Sequence, residues 1–287
     1  DSSRGNMLLW GSLLTLGTAG LSVHPLTGME MAFLDVGQGD SIFWQTGDGT
    51  SFLCDGGSSS VSQVGKYRIL PFLKCRGIRK LDYLFLTHMD ADHVNGACEL
   101  LKEDTGVTIG CLVLPDIQEQ DETCQKILSY AEQRKIPAVK FHDGMEMCAK
   151  NWSLECLAPE KEMDGTDKNA SSLVLLLEYG SFRALLTGDI EGEGEQRLIG
   201  SGDLKPVSVL KAAHHGSKNS TPREFLDLTQ PAVSVISCGK DNSYGHPSPE
   251  LLKRLEETDT AIYTTMEQGA VMVVTDGEQF SVEGYLN

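Results

Sequence analysis

From Met29 onward the chain falls into short stretches of alternating and continuous apolar residues. Met31 and Phe33 alternate with Glu30 and Ala32, the period-two signature of a half-buried strand. A Gly-rich turn, Gly37-Gln38-Gly39-Asp40, follows, and residues 41–46 and 51–54 read as strands joined at Gly47-Asp48-Gly49. Residues 66–76 carry apolar positions at 69, 70, 72 and 73 and close at Gly77. That spacing predicts a helix, with the interior Pro71 counting against its full length. Residues 81–86 form a buried strand. Next come a strand at 111–114, a helix over 122–135, a strand at 138–141 and a hairpin within 145–157. The second half continues the alternation, with a hairpin from 172–179 and 182–186, short buried strands at 207–212 and 233–237, and a helix over 249–257 after His246-Pro247. Residues 30–287 contain no fixed-period repeat, low-complexity tract or linker, so the pattern predicts one α/β domain over 29–287, with mixed sheets in layers and helices outside.

The first 28 residues differ. Residues 5–29 hold no Asp, Glu, Lys or Arg, and Met7, Leu8, Leu9, Trp10, Leu13, Leu14, Leu16, Leu21 and Val23 make an apolar but Gly-interrupted lead-in. Its length is borderline for a spanning helix, so it reads as the end of a membrane segment or a linker, or equally as an ordinary hydrophobic lead-in. Starting at Asp rather than Met, the chain is expected to begin inside a longer protein, and the missing basic n-region argues against a secretory signal.

With 40% hydrophobic and 23% charged residues, the composition excludes wholesale disorder, a polytopic membrane protein and fibrous architectures. The net charge of -17 means that a nucleic acid could be gripped only by a local basic surface or by bound cations. Eight cysteines, at 54, 75, 98, 111, 124, 148, 156 and 238, form no CxxC pair. They are expected to be buried free thiols, with one or two bridges left open.

The densest chemical signal is Thr87-His88-Met89-Asp90-Ala91-Asp92-His93, where a buried strand ends and a helix bearing Leu100 and Leu101 begins. Two imidazoles and two carboxylates within six residues can turn toward one point and supply two adjacent divalent ions. Asp189 closes Leu185-Leu186-Thr187-Gly188, again at the end of an apolar strand; His214-His215-Gly216-Ser217 and Gly245-His246-Pro247 stand at further strand exits. Only His24 and His142 of the seven histidines lie outside these clusters. Strand exits are where the sites of layered α/β folds collect.

These motifs resemble the metallo-β-lactamase superfamily, and within it the C-terminal domain of the ComEC DNA-uptake proteins. The likeness runs from Phe33-Leu34-Asp35-Val36-Gly37-Gln38-Gly39-Asp40-Ser41 through Cys54-Asp55-Gly56-Gly57, the loop from His88 to His93, Thr187-Gly188-Asp189 and His214-His215-Gly216-Ser217 to Tyr244-Gly245-His246-Pro247. The superfamily loop is usually His-x-His-x-Asp-His; here Asp90 takes the second position, which resembles the ComEC-type pattern and shifts the site toward oxygen ligands. The superfamily's further histidine is absent, and Asn169 stands near its place.

The resemblance implies a four-layer αββα fold and two divalent ions. One would be held by His88, Asp90 and a histidine of the 214/215 pair, taken as His214; the other by Asp92, His93 and His246; Asp189 would bridge them. His215 would then act with Asp92 in catalysis, as the acid for the leaving oxygen. Asp55 and Asn169 would support the ligands, and Ser217, Lys218 and Asn219 would bind phosphate. Two runs without acids flank these motifs: Lys66, Arg68, Lys74, Arg76, Arg79 and Lys80, and Lys205, Lys211, Lys218 and Arg223. Lys74, Arg76 and Arg79 are the expected DNA track.

The combined expectation is a binuclear phosphodiesterase, a DNA nuclease degrading the strand that is not taken up. Its substrate would be DNA, single-stranded first, with Mn²⁺ favoured by the three carboxylates, Zn²⁺ the alternative, and no organic cofactor. The domain would belong to a bacterial membrane protein, on the extracytoplasmic face beside the membrane-channel part of the same polypeptide. The rivals are a phosphodiesterase acting on a phosphocholine group of cell-wall polymer, and a non-catalytic DNA-binding or channel-docking module.

Overall fold

The computed structural model describes residues 28–118 and 121–286; the apolar lead-in lies almost wholly outside the described residues. Two sheets form the centre. The first, of eight strands, has the order β15-β14-β1-β2-β3-β4-β5-β6, from β1 (Met29–Phe33), β2 (Ile42–Gln45), β3 (Ser51–Cys54), β4 (Lys80–Phe85), β5 (Thr108–Pro115), β6 (Ala138–Phe141), β14 (Val271–Thr275) and β15 (Phe280–Gly284). The second, of seven, has the order β13-β12-β11-β10-β9-β8-β7, from β7 (Glu146–Cys148), β8 (Trp152–Ala158), β9 (Val174–Tyr179), β10 (Phe182–Leu186), β11 (Val209–Lys211), β12 (Val233–Ile236) and β13 (Ala261–Thr264).

Period-two alternation puts each strand's residues on opposite faces. Met29, Met31 and Phe33 of β1 join Trp44, Phe52 and Phe85 in a core shared with Leu154, Leu175, Leu177 and Leu186 of the second sheet. Trp44 and Phe52 stack at 4.8 Å between ring centroids. Ala32, Phe43, Leu53 and Leu84 face the other way, onto the helices α2 (Ala91–Lys102) and α3 (Glu122–Gln133) through Val94, Ala97, Leu101 and Ile127. On the far side, Leu176, Leu185 and Leu210 pack on α4 (Glu193–Ser201), α5 (Arg223–Thr229) and α6 (Pro249–Glu256) through Leu198, Phe225, Leu226, Leu251 and Leu255. Each such buried Leu or Phe contributes ~1.5–3 kcal/mol. The result is the four-layer αββα sandwich. Because β9 is covered on both faces, it reads as a continuous apolar run rather than an alternation.

The helix expected at 66–76 resolves into a π-helical turn, Gly65–Ile69, followed by α1 (Leu70–Cys75). Pro71 falls in the first turn of α1, where its missing N–H has no intrahelical partner to lose, so it starts a helix rather than breaking one. A short α7 (Thr265–Gln268) precedes the last two strands. The apolar pattern does not predict β13, β14 or β15. All eight cysteines are free; Cys54, Cys124, Cys156 and Cys238 are buried, Cys98 and Cys111 are partly so, and Cys75 and Cys148 are exposed. Among the described residues no helix is long and apolar enough to cross a membrane.

Strand direction places the chemistry. β3, β4, β5 and β6 pair parallel, as do β10, β11, β12 and β13. Their C-terminal exits therefore share one rim in each sheet, and the β1–β2 connection opens at the same rim because Phe33 pairs with Ile42 and Ile42 with Cys54. The rims are tied together where Leu173 N–H donates to Thr87 O at 2.9 Å.

Candidate metal centre

Asp55 leaves β3 in the left-handed region, at φ 59°, and organises the first sheet's side of the rim. Its Oδ1 accepts from Thr87 N–H and its Oδ2 from the Thr87 hydroxyl, both at 2.8 Å, and Oδ2 also stands 2.8 Å from His93 Nδ1. The first turn of α2 can lie this close only because residue 57 is glycine: a Cβ there would come within 2.4 Å of Asp92 C and His93 N. With Asp55 accepting from Nδ1, the His93 ring is turned so that Nε2 faces Asp189 Oδ2 at 3.1 Å. Burial works against a charged His93, but Asp189 and Asp55 outweigh it and hold its pKa well above the ordinary value. His88, buried beside it at 4.1 Å between rings, is pushed the other way, by burial first and then by the neighbouring His93.

Asp189 is the convergence point of the second sheet's side. Its Oδ2 lies 3.1 Å from His93 Nε2, 3.3 Å from His215 Nε2 and 3.9 Å from His214 Nε2. Burial would raise its pKa, but His215, His93 and Lys211 hold it well below the carboxylate range. His215 Nδ1 donates to Ser237 O at 3.0 Å; a carbonyl can only accept, so the proton sits on Nδ1 and the Nε2 lone pair faces the site. Asp92 Oδ2 is 3.5 Å from that Nε2. Burial opposes its charge, yet the contacts with His215 and His93 bring its pKa down to about 2. His214 is oriented by a carboxylate instead: Glu191 Oε2 lies 2.7 Å from its Nδ1 and also accepts from the Ser217 hydroxyl at 3.1 Å.

The residues expected in the site are thus distributed unequally. His88, Asp92, His93, Asp189, His214 and His215 come together. His215, rather than His246, stands against Asp92; His246 lies beside His214, 5.7 Å between rings. Asp90 turns outward, its Oδ1 3.0 Å from Lys168 Nζ and its Oδ2 3.8 Å from His88 Nε2; Lys168 also pairs with Asp121 at 2.8 Å. The half-buried Asn169 accepts through its main-chain oxygen from Ser172 N–H at 3.1 Å, and among the described residues no hydrogen bond ties its side chain to the site. Ser217 is buried, and Lys218 and Asn219 are exposed next to it.

The expected DNA track is not at this rim. Arg79 precedes β4 and His88 follows it, so six strand residues, roughly 20 Å, separate them. Arg76 is paired with Glu30, and Lys74 lies in the last turn of α1. In the second basic run Lys205 pairs with Glu178 and Arg223 with Asp227, and Lys211 is wholly buried. Burial would lower the Lys211 pKa, but Asp40 and Asp189 raise it above the usual lysine range.

Asp40, Lys211, Glu191, Lys168 and the Ser237 carbonyl are the participants that sequence reasoning did not assign. Asp40 had a signal, an acid closing a Gly-rich turn before a strand, and Lys211 was read only as a member of the second basic run; Glu191, Lys168 and Ser237 had none.

Do these side chains suit divalent ions? His88 Nε2 and His246 Nδ1 are buried with no hydrogen-bond partner among the described residues, and His93 Nε2 and His215 Nε2 have only the carboxylates of Asp189 and Asp92 before them. Imidazole lone pairs gathered around a shared carboxylate are the donor chemistry of Zn²⁺ or Mn²⁺ sites, so the residues fit.

Known proteins share this fold. Residues 34–124 match the Metallo-beta-lactamase superfamily. The metallo-beta-lactamase fold protein YhfI of Bacillus subtilis superposes with TM-score 0.54 at 13% identity, over 85% of this chain and 98% of that one. The fold is that of the metallo-β-lactamases, for which divalent metal ions are implied. In sequence, the chain is 34% identical over 255 residues to ComE operon protein 3 of Bacillus subtilis (strain 168), covering 84% of this chain and 32% of that protein. It is 32% identical over 266 residues to Competence protein ComA of Neisseria gonorrhoeae, covering 91% and 35%. The chain belongs to the ComEC-like family of competence proteins. It spans about a third of the length of these curated relatives.

Proposed function

We propose that this domain is a binuclear metal-dependent phosphodiesterase that degrades DNA, in the setting of DNA uptake. The observation that carries the reading is the convergence of the buried Nε2 atoms of His93 and His215 on Asp189 Oδ2, with Asp92 Oδ2 3.5 Å from the second of them. Asp92, His93, His215 and Asp189 would hold one ion. His88, Asp90 and Asp189, with His214 or His246, would hold the other. Bound ions supply Lewis acidity at the scissile phosphate and neutralise charge as it develops; three carboxylates favour Mn²⁺, and the imidazoles keep Zn²⁺ in play.

The chain's own residues do the rest. Asp55 and the Ser237 carbonyl fix the tautomers of His93 and His215. His214, whichever ion it faces, is held by Glu191, whose carboxylate also stabilises a proton on its ring; burial opposes that proton, but the Glu191 hydrogen bond raises the His214 pKa. A His214 that is not a ligand would hand this proton to the leaving oxygen. Lys218 and Asn219 lie exposed beside this histidine and would meet phosphate. Tyr244, 62% exposed and stacked on His246 at 5.7 Å, offers a face for a base. A cavity of about 240 Å³ beside His88, lined by Met89, Pro115, Ile117, Lys168 and Ser171, has room for a group flanking the phosphate. In a chain of net charge -17 the ions themselves would be the main attraction for a polyanion. The domain would work on the extracytoplasmic face, beside the membrane-channel part of the same polypeptide.

The test is incubation of the 287-residue chain with end-labelled single- and double-stranded DNA, with EDTA or added Mn²⁺ or Zn²⁺. Cleavage that requires metal and favours single strands is expected. DNA binding without cleavage in every metal would overturn the reading in favour of a non-catalytic module; hydrolysis of a phosphocholine ester but not DNA would move the substrate to the cell wall.

A further inference from the structure

Lys211 ends β11, a strand flanked on both sides within its sheet, and its side chain is 0% exposed. Val209, two residues earlier and on the same face, belongs to the core between the sheets, so the ammonium occupies a position where the alternation calls for an apolar residue. A buried charge persists only with partners. Lys211 Nζ has three: Asp40 Oδ2 at 2.5 Å, Gly188 O at 2.7 Å and Asp189 Oδ1 at 3.4 Å. These match the three N–H groups of an ammonium, although the Asp40 contact is off the best hydrogen-bond direction and is an ion pair first. Asp40 is itself fixed by its backbone, its N–H donating to Asp92 O at 3.1 Å and its O accepting from Gly57 N–H at 3.0 Å.

Asp40, His93, Asp189 and His215 place one donor atom each within 4.8 Å of one another, all buried. Taken alone, that quartet looks like a cage for an ion. The Lys211 ammonium already stands among its carboxylates. It faces Oδ1 of Asp189, whereas His93, His214 and His215 all face Oδ2.

We propose that Lys211 is the resident cation of the Asp40 side of the site: it claims Asp40 and one oxygen of Asp189, so that no metal ion binds there and Asp189 presents only Oδ2 to metal. Lys211 is then a positioning residue, and Asp40 is its counter-charge and not a ligand. This rests on the metal-centre reading above, and the experiment separates the two.

Metal per chain is measured by elemental analysis after equilibration with Mn²⁺ or Zn²⁺ and desalting, for wild type, Lys211→Met and the double variant Asp40→Asn/Lys211→Met. A wild type that retains no metal would defeat the metal-centre reading itself. Given a wild-type content of n, Lys211→Met should rise to n + 1, because Asp40 Oδ2, Asp189 Oδ1 and the Gly188 carbonyl are then left as free buried oxygens where the ammonium stood. The double variant should return to n, since the pair is removed together and every proposed ligand remains. A Lys211→Met content of n would overturn the proposal, as would a double variant at n − 1, which would make Asp40 a ligand. If Lys211→Met fails to fold, the double variant, which leaves no unpaired charge, decides by the same values.

Discussion

The deep part of the site and its mouth are built on different terms. In the deep part, His93 and His215 are wholly buried, each has its Nδ1 engaged by an acceptor from another strand exit, and Asp189 is flanked by three imidazoles and an ammonium. At the mouth, Asp90 is paired with Lys168 and faces outward, and His214, with its side chain 27% exposed, leans on Glu191. The deep donors are already oriented, so binding an ion there costs little rearrangement. The outer donors are shared: Asp90 keeps Oδ1 on Lys168 and offers only Oδ2, 3.8 Å from His88 Nε2, so an ion there competes with the ammonium for the charge of one carboxylate. Two ions in one site are therefore expected to differ in affinity, the inner one binding first.

The most severe way to break this contrast is Asp189→Asn, which removes the carboxylate that both sides share. Turnover on DNA should fall by more than about 100-fold with the fold intact by circular dichroism, since loss of a mere supporting residue already costs ~10–100-fold. Near-normal turnover in a metal-quantified variant would remove Asp189 from the centre. Asp55→Asn tests the deep side through its support. The amide keeps the shape but loses the charge opposite His93 Nδ1, so metal affinity should drop ~10–100-fold, read by titration with a competing chelator; a change within twofold would mean that His93 needs no such orientation.

A third experiment sharpens the account of the mouth. Glu195 of α4 accepts from Thr221 N–H and so supports the segment after His215; burial, reinforced by Glu191, pushes its pKa up to about 8. In the folded chain it keeps its proton where the unfolded chain releases it, above about 4.5. Its contribution is thus complete below pH 4.5 and is lost as pH rises toward 8, at most ~1.4 kcal/mol per pH unit for one proton. Glu195→Gln should flatten that decline in chemical denaturation between pH 5 and 8, and an unaltered slope would assign the decline elsewhere. The smallest effect is expected for charge reversal of Lys74, Arg76 and Arg79. Each true phosphate contact would contribute about 0.7 to the slope of log affinity against log salt; with these residues at the far end of β4, the slope should not change. A loss of one or more would restore them as the DNA track.

Much of the fold was legible because most strands announce themselves locally, and the His88–His93 loop was legible because four donors sit within six residues. What escaped depends on distance along the chain. β14 pairs with β1 across some 240 residues, and nothing near Val271 names that partner. Lys211 looked like one member of a surface run, since the sequence does not reveal that β11 lies between two neighbours with its Val209 face inward. Asp40 and Lys211 make sense only as a pair, and each alone reads as an ordinary turn or surface residue. His246 was assigned by its motif, but which imidazole reaches Asp92 is decided by the backbone after β11. That turn cannot be read from a His-His dipeptide.

His214 and His215 both sit in the left-handed region, at φ 49° and 51°, where residues other than Gly, Asn and Asp pay ~1–2 kcal/mol each. Two adjacent histidines there are a poor choice for the backbone and are tolerable only while the imidazoles are needed. A copy of this domain released from its chemistry would find relief in drifting to Gly or Asn at these two positions, gaining stability as it lost its centre. On that ground His-His at this bend should be lost from diverged copies without a working centre sooner than Asp92 or Asp189, which sit outside the left-handed region.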